Sequence, residues 1–298
     1  EVKKAMNFLE QALSIAREKK DKGNEAVYLG NLGNRYTTLG NITKAIEYYE
    51  QALGIDREIG NRKGEADDLG SLGLAYAALG DARKAIEYDE QALVIDHEIG
   101  NRRSESVLLD NIGRAFLDLE DYQKAKESSD NAIQIANELS YPYIQNFGSE
   151  GLAQSYLFQN DLVNARTTIE AALQYDVPQY NHNETALLGI IALRQGERET
   201  AQETFTKSIA QADEILAKTP DYYDALDAKG LAVCGLAITT SDSHLKGDCH
   251  LRAIETFSAA RKIAPHAGVV KSVLRLFDEL VKCDEEGVLK GVREVVAG

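Results

Sequence analysis

Residues 44–62 read KAIEYYEQALGIDREIGNR, and residues 84–102 read KAIEYDEQALVIDHEIGNR. The two stretches are nearly identical and lie 40 residues apart. The segment before each one also recurs, as LGNLGNRYTTLGN at 29–41 and LGSLGLAYAALGD at 69–81. A fixed period of this kind predicts an array of stacked supersecondary units. The 298 residues are therefore expected to form one continuous array instead of two globular domains.

Each unit is predicted to form two helices. In the first half, Leu32 and Tyr36 share one helical face, and in the second half Ala45 and Tyr49 do the same. The Gly-Asn pair at 40–41 separates the halves, since glycine ends a helix in the left-handed conformation and asparagine caps the next one. Proline, which breaks helix interiors, occurs only four times. The pattern favours an all-α chain.

Composition excludes several functional classes. A net charge of -15 disfavours a surface that follows nucleic-acid phosphates, so no nucleic-acid partner is expected. No apolar run approaches the ~20 residues that cross a bilayer, so no membrane partner is expected either. Three cysteines, Cys234, Cys249 and Cys283, are too few for a disulfide framework and indicate a reducing compartment. A cytoplasmic location follows as the prediction.

The recurring positions resemble the signature of the tetratricopeptide repeat family. The matching residues in the first unit are Leu32, Gly33, Tyr36, Gly40, Ala45, Tyr49 and Ala52. The period of 40 is similar to that of the variant found in kinesin light chains and in C-terminal arrays of bacterial STAND-type signalling NTPases. The resemblance implies a right-handed α-α superhelix, a solenoid of about six helix pairs with a leading half repeat and C-terminal capping helices.

The expected organisation is a single solenoid over residues 1–298. Its parts are the second helix of a truncated repeat at 1–20, four 40-residue repeats at 24–180, two divergent repeats at 181–265 and cap helices at 266–298. About 11 extra residues between Gly230 and Ala253 predict an insertion at 239–250, interpreted as an exposed loop. The half unit at the start suggests excision from a longer chain. Its uncovered apolar face could also pair with a second copy.

Some units depart from the pattern. The aromatic residue of the second helix is replaced by Asp89 and by Ser129, and the turn glycine is replaced by Glu120 and by Asn160. We expect these changes to weaken local packing or capping without altering the register.

Motifs for catalysis are missing from the sequence. It contains no phosphate-binding loop, no HExxH and no GxSxG, so neither an enzyme nor a cofactor is predicted. The one metal alternative uses residues of the insertion, namely Asp242, His244, Asp248, Cys249 and His250. Their spacing matches no closed zinc motif, and no metal site is predicted.

The function of a solenoid usually resides in its extended concave surface. The resemblance implies a groove lined by the first helices. The residues that it assigns to partner binding are Asn31, Asn34, Thr38, Ser71, Leu74, Asp110, Asn111, Arg114, Glu150, Gln154 and Phe158. Arg114 is expected to pair with an acidic group of a partner, and Phe158 to act as an apolar anchor.

The predicted function is therefore that of a non-catalytic interaction module that binds a protein or peptide in its groove. The alternative is the sensor domain of a larger bacterial signal-transduction NTPase.

Overall fold

A computed structural model describes residues 2–175 and 177–298, and within these it contains 15 α-helices and no β-strand. A short 3-10 turn at Leu173–Tyr175 follows the ninth helix. The helices are α1 Val2–Lys19, α2 Lys22–Thr38, α3 Ile42–Ile59, α4 Arg62–Leu79, α5 Ala82–Ile99, α6 Arg102–Asp118, α7 Tyr122–Glu138, α8 Pro142–Phe158, α9 Leu162–Ala172, α10 Asn181–Arg194, α11 Arg198–Leu216, α12 Tyr223–Thr239, α13 Ser243–Ile263, α14 Ala267–Val281 and α15 Val292–Ala297.

The helices stack as a right-handed superhelix, which confirms the predicted fold class. Each helix from α1 to α12 packs on the next one along the chain. The first helices of successive units, α2, α4, α6, α8, α10 and α12, also contact one another, so they lie on the inner side of the curve. The second helices form the outer side. The groove is therefore lined by first helices.

In three of the helix pairs, a glycine of the first helix packs against an aromatic ring of the second. A Cβ added to Gly33 would collide with the ring of Tyr49, which is buried between the two helices. Gly189 meets the ring of Phe205 in the same way, and Gly230 meets that of Phe257. Glycine is kept inside these helices because the aromatic ring occupies the space of a side chain. This packing explains why the two positions recur together.

Asp89 and Ser129 occupy the aromatic position in two units, and both are buried. The carboxylate of Asp89 lies against Gly73, where the first, fifth and sixth units place a ring. Burial raises the pKa of Asp89 to about 8, because the ionised form has lost its hydration. The substitution keeps the register, as the sequence predicted, and puts an ionisable group into the core.

The turns without glycine keep the conformation that glycine supplies elsewhere. Glu120 has a φ of 61° and Asn160 a φ of 62°, close to the 73° of Gly40. A non-glycine residue in this region costs roughly 1–2 kcal/mol. The stacking of the units therefore imposes the turn on these two residues.

The expectation of an exposed loop at 239–250 is wrong. In the first unit, α2 ends five residues after Gly33 and α3 begins three before Ala45. In the sixth unit, α12 ends nine residues after Gly230 and α13 begins ten before Ala253. The differences are 9 − 5 = 4 and 10 − 3 = 7, which account for all 11 inserted residues. The insertion extends both helices of the unit.

The C-terminal helices have two different roles. α15 packs against α13 and α14 and covers the end of the stack, as a cap helix would. By contrast, α14 runs back along the inner side of the superhelix and contacts α4, α6, α10 and α12. The expectation that 266–298 only caps the array is therefore wrong for α14. Its apolar residues Val273 and Phe277 are buried in this position.

The concave groove as the candidate functional site

Two cavities lie on the inner side of the superhelix, among the first helices. The cavity between α2 and α4, called cavity I here, has a volume of about 290 Å³. The cavity enclosed by α6, α8, α10, α12 and α14, called cavity II here, has a volume of about 210 Å³. Helix α14 forms one wall of cavity II through Val269, Ser272, Val273 and Leu276.

Cavity I collects three of the sequence-predicted residues, Asn31, Asn34 and Ser71. The Asn34 carboxamide oxygen accepts a 2.7 Å hydrogen bond from the Tyr49 hydroxyl, which fixes its orientation. Asp68 lines the same cavity, and its Oδ2 has no hydrogen-bond partner. Burial, together with the nearby Asp56 and Asp67 carboxylates, raises the pKa of Asp68 to about 8. The cavity thus presents amide and acid groups.

Cavity II contains an ion-pair network that joins α6 to α8. Arg114 Nε donates to Asp110 Oδ2 at 3.1 Å, and Arg114 Nη2 donates to Glu150 Oε2 at 3.2 Å. Gln154 donates to the other oxygen of Glu150 at 2.9 Å. These four predicted residues are therefore brought together. Asp110 and Glu150 already neutralise the Arg114 guanidinium within the protein. To pair with an acidic group of a partner, as the sequence predicted, Arg114 would have to adopt a different geometry.

On the α10 and α12 side of cavity II, the chain presents two further carboxylates. Asp224 accepts a 2.7 Å hydrogen bond from Asn183, and its Oδ2 lies 3.5 Å from His182 Nε2. Asp227 forms a buried ion pair with Arg261. The second oxygen of Asp227, Oδ2, has no hydrogen-bond partner. Burial raises the pKa of Asp227 to about 6, although Arg261 opposes the shift.

The other four predicted residues line neither cavity and differ in their exposure. Leu74 is 55% exposed on α4, and Thr38 is exposed at the end of α2, where its hydroxyl donates to Asn34 O. Asn111 is half-buried on α6 and lines neither of the two cavities. Phe158 is half-buried under α14, with the Arg275 guanidinium 5.6 Å from the centre of its ring. Its ring is thus covered by the chain itself.

The sequence prediction missed most of the lining of cavity II, including five aromatic, amide or acidic residues. They are Phe147, Asn183, Tyr223, Asp224 and Asp227. Asn183 and Asp224 lie six residues before Gly189 and Gly230. Phe147 has the same place in its own unit, before Ala153. Extending the repeat register into residues 181–265 would have identified Asn183 and Asp224. The change of period in that region obscures the register.

Three of the candidate metal ligands of the insertion have a structural role in or beside α13. Asp242 caps the helix by accepting hydrogen bonds from the amides of His244 and Leu245. Cys249 is buried, and His250 Nδ1 lies 2.9 Å from the carbonyl oxygen of Val288. Within residues 2–175 and 177–298, no group of three or more His, Cys, Asp or Glu side chains is close enough together to hold a metal ion.

In that same part of the chain, every helix is too short or too polar to cross a bilayer.

A family model described as tetratricopeptide repeat matches residues 1–58 and 67–138. Both segments therefore have the sequence pattern of tetratricopeptide repeats. The two matched segments include residues 44–58 and 84–102 of the near-identical stretches. Members of this family are generally non-catalytic scaffolds that bind other proteins. Among curated proteins, none matches the sequence significantly.

Solved structures share this tetratricopeptide repeat fold. BtubC (BKLC) from P. vanneervenii has 18% identity and a TM-score of 0.62, covering 72% of this chain and 92% of its own. The STAND protein PH0952 from Pyrococcus horikoshii, which has a tetratricopeptide repeat sensor, has 18% identity and a TM-score of 0.65, covering 86% of this chain and 41% of its own. The Rap conjugation gene regulator of plasmid pLS20, in complex with the Phr* peptide, has 16% identity and a TM-score of 0.66, covering 94% and 76%. At these identities the likeness concerns the fold.

Proposed function

We propose that this protein is a non-catalytic interaction module that binds a peptide or an extended protein segment in its concave groove. The observation that carries the proposal is cavity I, where Asn31, Asn34 and Ser71 converge on the inner side. Carboxamide groups both donate and accept, so they suit the backbone of an extended peptide. The fold likeness to a Rap protein in complex with a peptide supports the same class of partner.

The groove offers an apolar contact beside these polar groups. Leu74 is 55% exposed on α4, whose Ser71 lines cavity I. A bound segment would cover this side chain, and burying a leucine contributes about 1.5–3 kcal/mol. On the outer side, Val94 of α5 is 59% exposed and serves as a matched control position.

The test begins with a random-peptide display library selected on the protein, followed by fluorescence anisotropy of an enriched peptide. Leu74→Glu is expected to weaken binding by at least about tenfold, because a charge then replaces an apolar contact worth over 1.4 kcal/mol. Val94→Glu adds the same charge outside the groove and should leave the Kd unchanged. Equal effects of the two variants would contradict groove binding.

A second candidate function is that of a sensor domain in a larger signalling NTPase. The fold likeness to the sensor-containing STAND protein favours it, and that likeness covers 41% of the STAND chain. The coding sequence upstream of residue 1 tests it. A nucleotide-binding domain encoded there would support this function, and an upstream stop codon in the same frame would contradict it.

Self-association through α1 is a further proposal. Phe8 is 61% exposed and Ile15 is 51% exposed on this helix, whose main neighbour among the described residues is α2. If a second copy covers them, sedimentation velocity should show a dimer that Phe8→Ser removes. A dimer that persists in Phe8→Ser, or a monomer at every concentration, would contradict it.

We propose a cytoplasmic location for the protein, because all three of its cysteines are free thiols.

A further inference from the structure

Cavity II contains more acidic than basic groups. Asp110, Glu150, Asp224 and Asp227 supply four carboxylates, against the two guanidinium groups of Arg114 and Arg261. Three of the four acids, Glu150, Asp224 and Asp227, line the empty space itself, whereas Arg114 is the single cation in its lining. The described residues of this site therefore leave negative charge uncompensated.

Among the three acids that line the empty space, Asp227 has a carboxylate oxygen that is both buried and unsatisfied. Asp227 is only 5% exposed, and its Oδ2 has no hydrogen-bond partner. A buried acceptor without a donor costs about 1–3 kcal/mol, and more when it is charged. Arg261 engages the other oxygen, Oδ1. The unpaired oxygen is thus a position where a donor from a ligand would be stabilised.

We propose that cavity II is the pocket for a basic side chain, arginine or lysine, of the peptide that binds in the groove. This inference rests on the proposed function and specifies its ligand. Asp227 and Glu150 would accept hydrogen bonds inside the pocket, and Asp224 would accept them at its entrance. Charge-assisted hydrogen bonds of this type are the strong ones.

The walls of the pocket suit such a group. Phe147 and Tyr223 bring aromatic rings to the lining, and a cation is attracted to the face of such a ring. The same Phe147 ring already lies 4.9 Å from the Arg114 guanidinium carbon. Leu231 and Val273 supply apolar surface that the methylene chain of a basic residue would cover.

Size and access fit one side chain. The volume of about 210 Å³ is below the ~300–1,000 Å³ typical of sites for small-molecule ligands. Tyr223 is 37% exposed and the Asp224 side chain is 35% exposed, so the entrance reaches solvent. The Asp227 and Glu150 side chains are only 7% and 10% exposed and lie inside.

The titration of the buried acids agrees with this picture. Burial raises the pKa of Glu150 even though Arg114 lies beside it. Glu184, the adjacent buried acid on α10, has its pKa raised to about 9 by burial and by the Glu150 charge. An additional cation in the cavity would favour the ionised form of all these groups.

The experiment uses peptides selected from a random display library on the full chain. Each basic residue of an enriched peptide is replaced in turn by citrulline, for arginine, or by norleucine, for lysine. Binding is measured by fluorescence anisotropy. One such replacement is expected to weaken binding to the wild type by at least about tenfold, since a hydrogen bond to a charged group contributes more than a neutral one. This part of the test does not depend on any protein variant.

The cycle is completed with the double variant Glu150→Gln/Asp224→Asn. The matched control, Glu203→Gln/Asp221→Asn, makes the same change in charge at exposed positions outside the cavity. The peptide replacement should lose its effect in the cavity variant and keep it in the control. Retention of the full effect in the cavity variant would overturn the inference, and so would enriched peptides without a basic residue.

The failure of this inference is distinguishable from the failure of the proposed function. Peptides that bind in a Leu74-dependent manner without a basic residue would refute the pocket and leave groove binding intact. A selection that enriches no peptide would contradict both.

Discussion

The Nε2 atom of His266 donates a hydrogen bond to the carbonyl oxygen of Gly40 over 2.9 Å, although the two residues are 226 positions apart. Gly40 forms the turn after α2, whereas His266 precedes α14. This contact joins the C-terminal helix to the first complete repeat. Along α14, Lys271 Nζ donates to the carbonyl oxygen of Asp118, and Arg275 forms a 2.7 Å ion pair with the Asp118 carboxylate. The helix therefore connects the two ends of the superhelix across its inner side.

Gly268 is where α14 comes closest to α4, so substitution there should loosen α14. A Cβ at this position would collide with the carbonyl oxygen of Ala77. We expect Gly268→Ala to lower the free energy of unfolding by about 1–3 kcal/mol, as overpacking does. It should also speed amide hydrogen exchange in α14. Gly247→Ala is the control, since its Cβ would meet nothing within 4 Å and should stabilise α13 by up to about 1 kcal/mol. Unchanged exchange in α14 would show that the close approach is not required.

Asp89 should make stability depend on pH. Its pKa is raised from 3.8 to about 8 in the folded protein, so folding favours the protonated acid. The stability that it confers is complete below about pH 4 and is lost as the pH rises towards about 8. Asp89→Asn keeps a neutral side chain at every pH. We expect the difference in Tm, variant minus wild type, to increase steadily from about pH 5 to about pH 8. Parallel curves for the two proteins would contradict the buried acid.

Arg114 holds two acidic residues of the groove, so its removal should cost stability. Arg114→Met leaves Asp110 and Glu150 facing each other without a cation, and Asp110 is buried. Loss of one partner of a fully buried pair costs about 3–5 kcal/mol. Because the Arg114 side chain is 35% exposed, we expect about 2 kcal/mol in urea unfolding.

The control for this prediction neutralises the acids as well. Arg114→Met combined with Asp110→Asn and Glu150→Gln should recover most of the loss, since no unpaired charge remains. A single variant as stable as the wild type would mean that the network contributes nothing.

The recurrence of the small-residue and turn positions, such as Gly33 and Gly40, was sufficient to predict the helix pairs, their turns and the superhelix. It succeeded because the same close packing of one helix on the next recurs, with a ring beside the glycine in three units and Asp89 or Ser129 there in two others. Glu120 and Asn160 replace the turn glycine without changing the register, because the neighbouring units impose the left-handed turn on them.

The course of α14 could not be predicted in this way. An amphipathic helix with Val273 and Phe277 on one face suits an end cap and a groove equally, because both offer apolar surface. The pairing of Arg114 was equally hidden, since a charged residue at a groove position has the same sequence signal whether it faces a partner or Glu150. Cavity II depends on both features, which is why only part of it was found from the sequence.

The central claim is that a peptide segment binds on the inner side of the superhelix. The most direct measurement is photo-crosslinking of a display-selected peptide to protein carrying benzoylphenylalanine in place of Leu74 on α4 or of Val94 on α5. The two side chains are similarly exposed, at 55% and 59%, and lie on a first helix and a second helix of the repeats, respectively. If the peptide binds in the groove, it should crosslink to the protein from position 74 and not from position 94. A crosslink from position 94 without one from position 74 would contradict it.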